Sequence, residues 1–116
     1  MSRELVVLLP EPPDIAAVLS NSDALRDTAL SIAHLDGATL LYDDEGRLLV
    51  RVAEPRRIEV PGETERLLGV PAPLPTWWID LRAAATPDTA SATARHCAEA
   101  LATRHHGTIC TAETPA

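Results

Sequence analysis

Glu4-Leu5-Val6-Val7-Leu8-Leu9 puts branched apolar side chains on both alternating faces, and Pro10, Pro12 and Pro13 close the run. Such a segment predicts a strand covered on both sides, so strand one is expected inside a sheet rather than at its edge. Pro13 and Asp14 then open a short helix through about Leu19, because proline suits a first helical turn and an acidic side chain complements the positive helix end. Asn21-Ser22-Asp23 interrupts it, and a further helical turn is expected from Asp23 to Asp27, capped by Ser22 or Asp23. The next stretch reads in two ways. Ala24 to Ala33 fits a continued helix, whereas Leu30, Ile32 and His34 alternate with Ser31, Ala33 and Leu35 as in a strand beginning near Ala29. The strand is favoured.

Asp36-Gly37 makes a turn, and Thr39 to Tyr42 with Leu48 to Val52 forms the clearest hairpin in the chain. Its loop, Asp43-Asp44-Glu45-Gly46, supplies residues that cap a tight turn or tolerate positive φ. Arg56 to Val60 adds an edge strand ended by Pro61, Gly62 to Leu68 reads as one or two helical turns, and Val70 to Pro75 is an extended proline-rich connector. Trp77, Ile79 and Leu81 then alternate with Trp78, Asp80 and Arg82, which predicts a strand with two chemically different faces. A helix follows from Pro87 or Asp88 to about His105, with Ala90, Ala94, Cys97, Ala98 and Leu101 on one stripe. Gly107 is its expected C-cap, Thr108 to Thr111 returns as a short strand, and Ala112 to Ala116 reads as a frayed tail.

This order of elements describes a single α+β domain over the 116 residues. It resembles the ferredoxin-like sandwich, an antiparallel sheet with two helices on one face. The resemblance is one of topology over Glu4 to Thr111, and it brings no functional residues with it. It does imply an apolar surface on the helix-free face: one alternate set of strand one, Leu49 and Trp78. Either a partner covers that surface, or the segment from Ala53 to Pro75 folds over it. Because Trp and Arg dominate interface energetics, Trp78 and Arg82 are the expected contacts.

Composition narrows the choice of partner. All ten basic residues are arginine and the formal net charge is −7, which disfavours a nucleic-acid backbone as ligand. The run Leu5 to Leu9 is far shorter than the ~20 residues that span a bilayer, so no membrane partner and a cytoplasmic location are expected. Cys97 and Cys110 are then two free, buried thiols.

Motifs for chemistry are weak. Cys97, His105, His106 and Cys110 are the one set resembling zinc ligands, but Cys97 lies about two helical turns, roughly 12 Å, before His105 and sits on the apolar stripe. A Cys-His nucleophile at Cys110 lacks a third group to orient it. Asp43-Asp44-Glu45 lacks the spacing of a calcium loop, no glycine-rich phosphate loop follows a strand, and no metal or cofactor is implied. Arg51 with Arg56 and Arg57 is the single basic cluster that could hold a carboxylate. The sequence therefore points to protein association, as a homodimer or as a specific binder such as an acidic inhibitor of a basic partner. The rival is a small-molecule binder or enzyme of dimeric ferredoxin-like type, in which Trp78, Asp80, Arg82 and Tyr42 supply an aromatic wall and polar groups.

Overall fold

A computed structural model describes residues 3–22, 30–59, 62, 65–66, 69, 75–85 and 89–111. The elements are β1 (Arg3–Leu9), α1 (Ile15–Ser20), β2 (Ser31–Leu35), β3 (Ala38–Tyr42), β4 (Leu48–Val52), β5 (Arg56–Ile58), β6 (Thr76–Ala83), α2 (Thr89–His105) and β7 (Thr108–Thr111). All seven strands join one antiparallel sheet in the order β2-β3-β4-β6-β1-β7, with β5 pairing the first part of β6. The fold is α+β. Strand one lies inside the sheet, between β6 and β7, as its two apolar faces require.

Both helices pack on one face. Leu5, Val7 and Leu9 of β1, Ile79 and Leu81 of β6, and Val50 and Val52 of β4 meet Ile15, Val18 and Leu19 of α1 and the Ala90, Ala94, Cys97, Ala98, Leu101 stripe of α2. Most of that stripe is alanine, so little side-chain volume separates the helix axis from the sheet. The expected stripe and the alternation of β6 both match the observed burial.

Local chemistry fixes the ends. Asp14 is the N-cap of α1, its Oδ1 accepting from the Ala17 N–H at 3.2 Å, so it acts one position before the first turn where the sequence placed it. In the β3–β4 loop Asp43 Oδ1 accepts from the N–H groups of Glu45 and Arg47, and Oδ2 from Arg47 Nε at 2.7 Å. The Arg47 backbone bond, foremost, and the Arg47 guanidinium hold the Asp43 carboxyl below its ordinary pKa.

The C-terminus of α2 departs from expectation. His106, not Gly107, takes the left-handed conformation (φ 57°), and the Gly107 N–H bonds back to the Ala102 carbonyl at 2.8 Å, closing a Schellman motif. Glycine is required at 107 for another reason: a Cβ there would lie 2.3 Å from Leu9 Cδ2 and 2.5 Å from the Leu8 carbonyl oxygen.

Two register irregularities also depart from the pattern. A shift between Leu41 and Tyr42 puts Leu49 into the helix-side core beside Val50, instead of on the helix-free face. From the Val52–Leu81 pair to the Arg56–Trp78 pair the chain takes four steps along β4–β5 but three along β6, so β4 and β5 are one strand interrupted by a bulge. The Ala53 N–H bridges the gap to the Asp80 carbonyl at 2.8 Å. The strand expected to begin near Ala29 is observed from Ser31. The helical turn at Asp23 to Asp27, the helix start at Pro87 or Asp88, most of the connector before Pro75 and the tail fall outside the described residues.

Candidate functional site

The alternation of β6 sends Thr76, Trp78, Asp80 and Arg82 to the helix-free face, and pairing aligns neighbours with each. Trp78 forms a floor there with Val6, Leu8 and Cys110, with Ile58 packed against them. It is only 6% exposed within the single chain. Of the two covers the sequence allowed, a partner or the segment from Ala53 to Pro75, the second is seen at this tryptophan: the bulge delivers β5 alongside, and the Arg56 guanidinium stacks 5.3 Å from the ring centroid. The Trp78 indole Nε1–H donates to Asp80 Oδ1 at 2.9 Å, and Arg56 Nη2 donates to Asp80 Oδ2 at 3.4 Å. Both carboxylate oxygens of Asp80 are thereby occupied, and Trp78, Asp80 and Arg56 form a closed triangle.

One step further along the strands, Arg51 of β4 and Arg82 of β6 stand directly opposite each other, with Glu4 of β1 opposite Arg82 on its other side. Glu4 pairs with Arg82. Arg51 has no ion pair among the described residues, although like charges directly opposed across strands are unfavourable. Glu4, Arg51, Ala53, Asp80, Leu81 and Arg82 line a recess of about 310 Å³.

Of the four residues singled out in the sequence, the structure brings Trp78, Asp80 and Arg82 together and leaves Tyr42 apart. Tyr42 ends β3 opposite Leu48, beyond the last residues of β4 that pair with β6, and does not line the recess. The arginine cluster also divides, since Arg57 stacks 5.9 Å from Trp77, on the other face from Arg56. Sequence reasoning gave Arg51 no place beside Arg82, because the juxtaposition depends on β4–β6 register.

A larger recess, about 500 Å³, lies on the opposite side of the molecule, between α1 and α2, lined among others by Asp14, His96, Glu99, Arg104 and His105. His105, the last residue of α2, is buried there. Its Nε2 accepts from the Asp14 backbone N–H at 3.4 Å, which leaves the proton of the neutral ring on Nδ1, 3.4 Å from the Glu11 carboxylate. That alignment falls short of a hydrogen bond, so the pair is a close contact.

Among the described residues no three His, Cys, Asp or Glu side chains gather to hold a metal ion. The thiols are not poised for nucleophilic work: burial pushes the Cys97 thiol up to about 12 and raises that of Cys110. Ellman's reagent is expected to leave Cys97 unmodified in the native protein near neutral pH and to titrate both thiols in denaturant. Rapid native labelling of Cys97 would contradict its place in the core. No helix among the described residues is long and apolar enough to cross a membrane. No family model, curated protein or solved structure matches the chain.

Proposed function

We propose that the protein acts by association with another protein through the helix-free face of its sheet, on a ferredoxin-like core. In this reading β4, β6, β1 and β7 are the four core strands, each helix lies on a crossover between them, and the β2–β3 hairpin extends one edge. The observation that supports association is the pair Arg51 and Arg82, directly opposed in a recess whose one carboxylate in contact with them, Glu4, serves Arg82 alone. Among the described residues, the charged side chains that line or adjoin the recess, Arg51, Arg56, Arg82, Glu4 and Asp80, sum to +1 although the whole chain carries −7. The partner that this chemistry suits bears a carboxylate, which arginine can bind through two parallel hydrogen bonds. Local charge thus favours an acidic segment over the basic partner that net charge suggests. Asp80 then serves as a fixed support, its oxygens held by Trp78 and Arg56, rather than as a contact.

A hepta-glutamate peptide is a sufficient probe. Its titration is expected to shift the Nε–H resonances of Arg51 and Arg82 and the Trp78 indole N–H, and Arg51→Glu should weaken binding at least tenfold. Equal shifts at Arg47 and Arg57, remote from the recess, would mean unspecific attraction and overturn the reading. The larger recess between the helices supports a second reading, small-molecule binding, since about 500 Å³ lies within the range of ligand pockets. Fragment binding that perturbs His96 and Ala100 while leaving Arg51 unchanged would favour it.

A further inference from the structure

The β2 strand ends the sheet and is unlike the other strands. Ser31, Ile32, Ala33, His34 and Leu35 are all exposed, and Leu35 is 61% and Ile32 38% accessible. All five pair with β3 on one side, in unbroken register, so the outer row of main-chain groups is left at the sheet's edge. Natural edge strands are ordinarily blunted by charge, proline or a bulge. This one has no Asp, Glu, Lys, Arg or Pro, and no bulge against β3.

We infer that β2 is a self-association edge, pairing antiparallel with β2 of a second copy about a two-fold axis through Ala33. This goes beyond the proposed function and rests on β2 alone; the homodimer expected of the helix-free face is relocated to the edge. An exposed strand edge accepts another strand, because its unpaired N–H and C=O groups demand one. Three features make that strand a second copy. Only the register that opposes Ala33 to Ala33 uses all five residues of both strands: Ser31 then faces Leu35, and Ile32 faces His34. Side chains directly opposite share a face, so this register keeps the helices of both copies on one side of a continuous sheet. On one face each large Leu35 meets a small Ser31 and lies diagonal to the partner copy's alanine at the axis, so large is set against small on both sides of the axis.

The third feature is charge. A chain of net charge −7 resists meeting its own copy over most of its surface, and a formally neutral five-residue strand is where that resistance is least. An edge this short buries less than a standard interface, so the dimer is expected to be weak and concentration-dependent, in the micromolar range.

Sedimentation velocity between about 1 and about 300 µM reads the equilibrium directly. The wild type is expected to pass from monomer to dimer. Ala33→Lys and Ala33→Glu each place like charges face to face on the axis, and each is expected to stay monomeric across the range with an unchanged far-ultraviolet spectrum. Mixed one to one, the two variants put Lys opposite Glu and are expected to dimerise at least as well as the wild type. Wild type that stays monomeric at the highest concentration overturns the proposal. So does either charged variant dimerising like the wild type, or a mixture of two folded variants that remains monomeric. A hepta-glutamate result at Arg51 is read separately, on wild-type protein, since Leu40 of β3 stands between Ala33 and Arg51 in their cross-strand row and the recess does not include β2.

Discussion

Gly107→Ala is expected to destabilise the protein by about 2–3 kcal/mol, the upper part of the range for overpacking a filled site. The added Cβ meets two neighbours of different kinds. Leu9 Cδ2 can rotate away from 2.3 Å, but the Leu8 carbonyl oxygen at 2.5 Å belongs to the backbone of a strand paired on both sides. Relief therefore needs α2 or β7 to move off β1. With about 4 °C of midpoint per kcal/mol for a chain of this size, the melting temperature should fall by roughly 8–12 °C. His106→Gly provides the contrast, because it removes the side chain from a left-handed backbone (φ 57°) at an exposed position. It is expected to be neutral or to stabilise by up to about 1 kcal/mol, the relief of strain being partly offset by glycine's chain entropy. If the two substitutions destabilise equally, the close approach to β1 is not what position 107 is for.

That motif shows how much of the fold was open to sequence reasoning. The helix end was legible to within a residue, because a glycine after a run of helical spacing marks termination whichever residue takes positive φ. Which of His106 and Gly107 does so depends on the Leu8–Leu9 backbone, ninety-odd positions away. The same division runs through the site. The opposite faces of Trp77 and Trp78 follow from period-two alternation, and strand one's interior place from its two apolar faces. Leu49 and the Arg51–Arg82 pair were not legible, since each is set by a bulge or by inter-strand register that leaves no local mark, while the cover over Trp78 was legible as one of two alternatives, a partner or the segment from Ala53 to Pro75. Tyr42 was grouped with Trp78 on residue type alone, and position in the sheet separates them. The burial of His105 is likewise not legible, because nothing local shows that the β1–α1 loop, with Glu11 and Asp14, closes over it.

Edge and interior also differ in what they contribute to stability, which separates the self-association proposal from folding. Leu35, at 61% exposure on β2, should tolerate alanine within about 0.5 kcal/mol in the monomer, as surface substitutions generally do. Its effect belongs to the dimer.

Leu101→Ala is expected to cost about 3–4 kcal/mol, the largest loss of any single truncation in α2. The helix meets the sheet through Ala90, Ala94, Cys97 and Ala98, none of which has much to lose, so Leu101 is the only large aliphatic side chain on its buried stripe. It is fully buried. Truncation removes three carbons from that contact and leaves a cavity whose walls are a paired strand and a helix pinned by its Schellman turn, neither free to collapse inward. Against a total stability of roughly 5–15 kcal/mol, such a loss would bring part of the population to the unfolded state. Urea unfolding should show the midpoint falling with an unchanged slope, since the surface exposed on unfolding is nearly the same. A loss under about 1 kcal/mol would mean that α2 can settle toward the sheet after all. In that case Ala98→Val should be tolerated too, whereas a helix held as close as its alanines imply has no room for the two added methyls.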